Sequence, residues 1–184
     1  NFTLSKLFEP QSIKKDNEKK YKKFINENEI LDLLQVIDGS KEDDELLGFL
    51  DYNKIKNGKM CRHMVMVLPY CASCDAMEEL LKNKKDIFKN LGEYEIINIS
   101  GVEALKNYKK PNDIKNKIKE CEIANLKTIT LTVNRMLTGS TVEQWDTMLY
   151  FKDTSSPQEY DQAIFRLQNQ YIRTLYNKEK VIKE

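Results

Sequence analysis

The residue types best suited to chemistry lie in the last third of the chain, directly after two strand-like runs. The first run, 128–133, leads into a polar segment, 134–146, that contains Gly139 and several threonines. The second run, 147–151, leads through a Ser-Ser-Pro turn into a helix-like stretch. Open α/β sheets bind ligands at the turns that follow their strands. The pattern therefore predicts two neighbouring ligand-binding segments, although an ordinary strand-to-helix turn explains the first one equally well.

The helix-like stretch after the second run carries Gln162 and Arg166. Side chains four residues apart share one face of a helix, so these two groups are expected to point in the same direction. Considered alone, Arg166 is better explained by a surface salt bridge with Asp161 or Glu159. The functional interpretation therefore depends on the two segments occurring together, in this order and with the second strand between them.

In order and wording, the two segments resemble motifs V and VI of superfamily 2 helicases and translocases. The likeness is closest to the motor (R, or Res) subunits of restriction enzymes of the type III and type I kind. Residues 136–146 resemble motif V, with Thr141 in the neighbourhood where these families often place an Asp. Residues 162–169 resemble motif VI, whose usual form is Gln-x-x-Gly-Arg-x-x-Arg.

Two residues depart from the usual form of motif VI. Phe165 stands where the family has glycine, and Asn169 stands where it has the second arginine. Arg166 is therefore the first candidate for an arginine finger, and Arg173, one further helical turn along, is a weaker substitute. The likeness is strong over 128–175, loose over 61–127 and missing over 1–60.

The resemblance implies a RecA-like (P-loop NTPase-type) lobe, the C-terminal half of an ATP-dependent DNA helicase or translocase. In such a lobe, motif VI contacts the γ-phosphate of ATP across a cleft, and motif V couples closure of that cleft to a grip on the DNA backbone. Contacts to phosphates would dominate, so sequence specificity is not expected in this lobe. The resemblance assigns catalysis to Gln162 and Arg166, ATP binding to Gly139, Thr141 and Arg166, and DNA binding to Thr138 and Arg135.

The rest of an ATPase site does not occur in this sequence. Neither a Walker A loop, G-x-x-x-x-G-K-[ST], nor an acidic Walker B motif is found among the 184 residues. We therefore expect ATP to be shared with an N-terminal RecA-like lobe of the same parent chain, which would also hold Mg²⁺. The fragment alone is expected to be inactive. Its other expected partners are DNA and, in a restriction system, a methyltransferase or specificity subunit.

Composition sets the wider limits. The chain has 40% hydrophobic and 32% charged residues, and its 30 Lys and Arg nearly balance its 29 Asp and Glu. No global positive field therefore indicates nucleic acid, and any DNA contact must come from a local patch. No run approaches the roughly 18 apolar residues of a membrane helix. Four cysteines in a lysine-rich chain of this length do not resemble a secreted disulfide framework, so we expect a cytoplasmic protein.

The elements that must position the two segments are predicted from hydrophobic periodicity. Strands that alternate with helices predict a doubly wound α/β domain over 61–184, with four or five parallel strands between layers of helices. A continuous apolar run predicts one further strand that is buried on both faces, and a second segment is also strand-like. These strands are expected at 63–68 and 94–99, and the helices at 72–88 and 112–122.

Residues 1–60 are predicted to form a helical linker or appendage. Residues 11–29 are rich in Lys, Asn and Glu, which is typical of a solvated helix, a linker or disorder. Apolar residues at helical spacing predict a helix over 30–37 that ends at Gly39. A second short helix is expected over 41–50.

Cys71 and Cys74 support a rival interpretation. They form a C-x-x-C motif directly after a predicted strand and at the start of a predicted helix, where the helix dipole lowers the pKa of a thiol. A thiol–disulfide oxidoreductase is therefore the alternative, and a degenerate motor lobe that serves as a non-catalytic interaction module is a third. No metal site is expected, because Cys61 and Cys121 do not add a second close pair.

Two other side chains attract functional interpretations. Trp145 is expected to pack in the core or at an interface rather than to stack on a base. Residues 64–81 resemble, in architecture only, the motif IV region that opens such lobes. Ser73 is the local candidate there for a contact with a phosphate.

Overall fold

The computed structural model describes residues 3–15, 18–39, 62–102, 107–133, 142 and 144–152. Short 3₁₀ turns lie at Lys85–Ile87 and Leu91–Glu93. The helices in these ranges are α1 (Leu4–Leu7), α2 (Glu27–Asp38), α3 (Cys71–Asn83) and α4 (Pro111–Ile123). The strands are β1 (Pro10–Lys15), β2 (Glu18–Phe24), β3 (His63–Val67), β4 (Glu95–Asn98), β5 (Thr128–Thr132) and β6 (Thr147–Tyr150).

The central element is a parallel sheet of four strands in the order β4-β5-β3-β6. Every residue of β3 and of β5 is buried, as expected for strands that are covered on both faces. The four predicted strands agree with the observed ones to within a residue or two at each end. The predicted α/β fold, a parallel sheet flanked by helices, is therefore confirmed.

Alternate side chains of β3 enter two different cores. Met64, Met66 and Leu68 pack with buried residues of α2 and α3 on one face of the sheet. Val65 and Val67 pack with buried residues of α4 on the other face. Each fully buried side chain of this size stabilises the fold by about 1.5–3 kcal/mol relative to exposure. Because successive side chains of a strand point to opposite faces, β3 packs against helices on both sides of the sheet.

The N-terminal region contains a β-hairpin that the sequence did not predict. β1 and β2 are antiparallel, Pro10 pairs with Phe24, and β2 packs against α3. The prediction of a solvated helix, linker or disorder for residues 11–29 is therefore wrong across these strands. A hairpin depends on cross-strand pairing and on the surface that it covers, and neither can be read from a charged local composition.

Helix α2 confirms the prediction for residues 30–37 and ends where it was expected to end. Gly39 has a φ of 82° in the left-handed region, which glycine adopts without a Cβ clash. Its N–H donates to the carbonyl oxygen of Val36 at 3.1 Å and so satisfies one of the free carbonyls at the helix end. The helix predicted over 41–50 and the predicted domain boundary after residue 60 lie outside the described residues.

Phe8 attaches the N-terminal region to the end of the sheet. Its ring stacks on Phe151, which follows β6, with centroids 4.6 Å apart and planes 17° apart. It also meets Phe24 edge to face at 5.8 Å. All three rings are buried, and such aromatic pairs contribute about 0.5–1.5 kcal/mol beyond their buried area. The hairpin base therefore lies beside the carboxyl end of β6.

Candidate functional site

The carboxyl ends of the parallel strands meet at one edge of the sheet, which we call the carboxyl edge (residues 68–70, 98–102, 132–133 and 151–152). Strand β3 lies between β5 and β6. Leu68 N donates to the carbonyl oxygen of Thr132, and Phe151 N donates to that of Val67, each at 2.8 Å. β5 and β6 thus stay paired with β3 up to their last residues. The segments that follow them leave the same edge, one on each side of β3.

The strand order also places a topological switch point at this edge. The connection after β3 leads past β5 to β4, whereas the connection after β5 leads past β3 to β6. The connections of two neighbouring strands therefore run in opposite directions. In open α/β sheets, ligands bind outside the carboxyl ends of the strands at such a point.

The predicted site residues themselves lie outside the described residues. Their roles, and those of Phe165, Asn169 and Arg173, stay predictions. What the structure describes is the point of departure of each segment: Val133 precedes the first, and Lys152 precedes the second. The predicted residues in question are Arg135, Thr138, Gly139, Thr141, Gln162 and Arg166.

The structure gives Ser73 a different role from the predicted phosphate contact. Its side chain is fully buried, and its hydroxyl donates to the carbonyl oxygen of Phe8 at 2.7 Å. The prediction is therefore wrong, because this hydroxyl joins the N-terminal region to α3. Trp145 packs in the core as predicted, with 1% exposure, and its indole N–H donates to the Thr130 hydroxyl at 3.3 Å.

The two cysteines of the C-x-x-C motif differ in their surroundings. Cys71 is exposed at the first residue of α3, and Cys74 is buried one turn later; both are free thiols. Burial raises the pKa of the Cys74 thiol, and the nearby Cys71, Asp75 and Glu78 raise it further. A raised pKa disfavours the thiolate, which is the reactive form. The pair thus combines one accessible thiol with one that is held protonated.

The turn after β4 is attached to α3 by side chains that the sequence analysis did not single out. Asn98 Nδ2 donates to Asp75 Oδ1 at 2.9 Å, and Asn98 Oδ1 accepts from the Gly101 amide at 2.8 Å. The Val102 amide donates to Asp75 Oδ2 at 3.0 Å. The sequence signal was the Ser-Gly exit turn after the strand, but it did not indicate Asp75, which is 23 residues away from Asn98.

Ser100 extends this arrangement to β5. Its hydroxyl lies 3.1 Å from the Thr132 hydroxyl and accepts from the Val133 amide at 3.2 Å. Both hydroxyl-bearing residues are buried. The turn after β4 therefore contacts Val133, the last residue before the polar segment 134–146.

The opposite edge of the sheet, which we call the amino edge (residues 62–63, 122–128 and 146–147), holds charged groups. His63 is buried; its Nδ1 lies 2.9 Å from the Thr128 hydroxyl, and its Nε2 is hydrogen-bonded to Glu122. An ionised carboxylate only accepts, so Nε2 carries the proton and Nδ1 of the neutral ring accepts from Thr128. Arg62 lies 3.5 Å from the same Glu122 carboxylate.

Burial and charge shift the pKa values of these groups. Burial lowers the pKa of His63, although the hydrogen bond to Glu122 works in the opposite direction. Partial burial works to raise the pKa of Glu122, but the hydrogen bond from His63 and the charge of Arg62 outweigh it, so that this pKa is lowered. The ring is therefore neutral and the carboxylate ionised near pH 7, which makes this dyad a structural contact between β3 and α4.

Asp146 closes the amino edge at the start of β6. Its carboxylate accepts from the amides of Arg62, at 2.9 Å, and His63, at 3.3 Å, and from the Thr147 hydroxyl at 3.0 Å. Burial raises the pKa of the Asp146 carboxyl to about 6, against the effect of these donors. The hydrogen bonds join the starts of β3 and β6.

Among the described residues, no three His, Cys, Asp or Glu side chains are grouped so that they could hold a metal ion. Within the same part of the chain, no helix has both the length and the apolar character needed to cross a membrane.

Comparisons with known proteins give one informative similarity. The chain is 31% identical, across 97% of its length, to a protein of Mycoplasma pneumoniae that is named, provisionally, as the C-terminus of a type II restriction enzyme and methyltransferase. The chain spans 24% of the length of that relative. No protein-family model matches the chain, and no solved structure matches it.

Proposed function

We propose that this chain is the C-terminal RecA-like motor lobe of an ATP-dependent DNA helicase or translocase in a restriction-modification enzyme. The observation that carries the proposal is the departure of both candidate segments from the carboxyl edge, on either side of β3. Motifs V and VI must both reach one cleft, and strands that end at the same edge allow this. The similarity to a protein named for a restriction enzyme and methyltransferase supports the same biological context.

In the proposed mechanism, this lobe completes an ATP site that another lobe begins. Arg166 and Gln162 contact the γ-phosphate across the cleft, and the guanidinium stabilises charge that develops during phosphoryl transfer. Gly139 and Thr141 approach the nucleotide, since a glycine lets the backbone come close to phosphates. The ATP contacts of this lobe all come from the segments after β5 and β6, and Mg²⁺ belongs to the N-terminal lobe.

Closure of the cleft would be coupled to DNA through the first segment. Arg135 and Thr138 contact the sugar-phosphate backbone, so the grip is independent of sequence. Hydrolysis reopens the cleft, and alternate grips move the motor along the strand. Recognition of a sequence would then belong to the methyltransferase or specificity part of the enzyme.

The test is the DNA-stimulated ATPase of the longer protein that contains this chain, with Arg166→Ala. We expect at least a roughly 100-fold loss of the stimulated rate, since arginine fingers contribute factors of about 10³–10⁵ in related phosphoryl transfers. Lys82→Ala is the matched control, because it removes a cation that is exposed on α3 and forms an ion pair with Glu78 four residues away. An unchanged stimulated rate in Arg166→Ala would instead favour a degenerate, non-catalytic lobe.

One observation favours the alternative function, that of a thiol–disulfide oxidoreductase. Cys71 is exposed at the first residue of α3, with Cys74 one turn behind it, as an attacking and a resolving thiol would be. Titration of Cys71 with a thiol reagent separates the two functions. A Cys71 pKa well below 8.5 supports redox chemistry, and a value of 8.5 or above removes it.

A further inference from the structure

Polar residues of the carboxyl edge that the proposed mechanism does not use form one continuous series of hydrogen bonds. The series begins at Asp75 on α3, passes through Asn98 at the end of β4 and reaches β5 through Ser100. Its last member is the amide of Val133, which directly precedes residues 134–141. The series thus connects α3, β4 and β5 at the point where the first candidate segment begins.

We propose that Ser100 is a positioning residue that sets the direction in which the chain leaves β5 at Val133 and, through it, the proposed contact with DNA. The part of this inference that concerns DNA rests on the proposed function. The part that concerns the exit direction rests on the contacts of one peptide unit, the unit between Thr132 and Val133.

Both polar groups of that peptide unit are held. The Thr132 carbonyl oxygen accepts from the amide of Leu68, beside β3, at 2.8 Å. The Val133 N–H donates to the Ser100 hydroxyl, beside β4, at 3.2 Å. Because a peptide unit is planar, fixing its carbonyl and its N–H from opposite sides fixes the orientation of the whole plane. The next residue therefore starts from a defined direction.

Ser100 is itself held in place. Asn98 Oδ1 accepts from the amides of Ser100 and Gly101 at 3.3 and 2.8 Å. Asn98 Nδ2 donates to Asp75 Oδ1 at 2.9 Å and to Glu78 Oε1 at 3.3 Å. Ser100 is 5% exposed, so water does not readily replace its hydroxyl. The hydroxyl that accepts from the Val133 amide is therefore anchored to α3 through Asn98 and Asp75.

The test uses the longer protein with Ser100→Ala, which removes the acceptor for the Val133 amide. We expect faster hydrogen exchange at Val133 and in the peptide that contains residues 134–141. We also expect the DNA concentration at half-maximal ATPase stimulation to rise roughly fivefold, as the loss of one net hydrogen bond would give. The rate at saturating DNA should change less. Ser100→Thr keeps the hydroxyl and should restore both properties.

Thr130→Val is the matched control for a purely structural effect. Thr130 lies two residues earlier on β5, and its buried hydroxyl accepts from Trp145 Nε1 at 3.3 Å. Its removal deletes a buried hydrogen bond that has no contact with Val133. We expect lower stability but normal exchange in residues 134–141 and an unchanged requirement for DNA.

Three results separate the outcomes. Exchange at Val133 that is the same in Ser100→Ala as in the unmodified protein would overturn the positioning role. Equal effects of Ser100→Ala and Thr130→Val on exchange and on the DNA requirement would also overturn it, because the effect would then be general destabilisation. Faster exchange in Ser100→Ala alone, in a protein without DNA-stimulated ATPase, supports the exit role of Ser100 and rejects the proposed function.

Discussion

The two edges of the parallel sheet hold polar groups of different kinds. At the amino edge, charged side chains bind one another and the starts of strands, as when Glu122 accepts from His63 and Asp146 from the Arg62 amide. At the carboxyl edge, the Asn98 amide and the Ser100 hydroxyl hold the turns through which the chain leaves the sheet. The difference indicates that the amino edge stabilises the fold, whereas the carboxyl edge holds the points at which the chain leaves the sheet.

The largest stability effect is expected at the amino edge, for Asp146→Ala. The substitution leaves the part-buried amides of Arg62 and His63 without their acceptor, and a fully buried unsatisfied group costs about 1–3 kcal/mol. We expect the free energy of unfolding to fall by about 3 kcal/mol in urea denaturation. Asp146→Asn, which keeps one acceptor oxygen, should lose less. Equal and small losses in both variants would contradict the structural role of this edge.

A smaller effect is expected at the carboxyl edge, for Gly101→Ala. An added Cβ would lie 2.1 Å from Asp75 Oδ1 and 2.6 Å from Asn98 Nδ2. These are ends of side chains that can swing away, so the expected loss is about 1–2 kcal/mol of unfolding free energy, at the low end of overpacking. Hydrogen exchange at Val102 should accelerate, because its amide donates to Asp75. Normal exchange at Val102 would show that the turn does not depend on this contact.

The smallest expected effect is a pH dependence of the unfolding free energy that arises at the amino edge. Burial lowers the pKa of His63 in the folded state below its unfolded value of 6.5, so the unfolded state binds more protons as the pH falls. The contribution of His63 to stability is therefore lost as the pH falls from 6.5 through the folded pKa. Asp146 acts in the opposite direction, because its raised pKa lowers stability as the pH rises from 3.8 to about 6.

The measurement that isolates His63 is the difference in unfolding free energy between the unmodified chain and His63→Gln, followed across this pH range. Taking the difference cancels the contribution of Asp146 as long as its surroundings are kept. We expect the advantage of His63 over Gln to shrink as the pH falls below 6.5. An advantage that stays constant down to pH 5 would contradict the assigned direction of the pKa shift.

The sequence predicted the parts of the fold that are determined by local pattern. A continuous apolar run identified β3 because this strand is buried on both faces, and Gly39 identified the end of α2 because the left-handed region favours glycine. The β1–β2 hairpin was not predicted because its charged sequence does not alternate between apolar and polar residues as a half-buried strand does.

The polar contacts at both edges join residues that are distant in the sequence, so the sequence could not reveal them. Ser73 bonds to Phe8, and Ser100 to Val133, over separations of 65 and 33 residues. A serine at the start of a helix is compatible with a phosphate contact or with a buried structural bond, and only its surroundings in the fold decide between them. The residues that resemble motifs V and VI were identified by that resemblance, and their proposed roles require a functional assay.

The most direct test of the account compares one variant from each region in the longer protein, at equal concentrations of folded molecules. Arg166→Ala belongs to a segment that leaves the carboxyl edge, and His63→Gln belongs to the amino edge. The account predicts that DNA-stimulated ATP hydrolysis is lost in Arg166→Ala at unchanged stability and is kept in His63→Gln at reduced stability. Full stimulated activity in Arg166→Ala would contradict it.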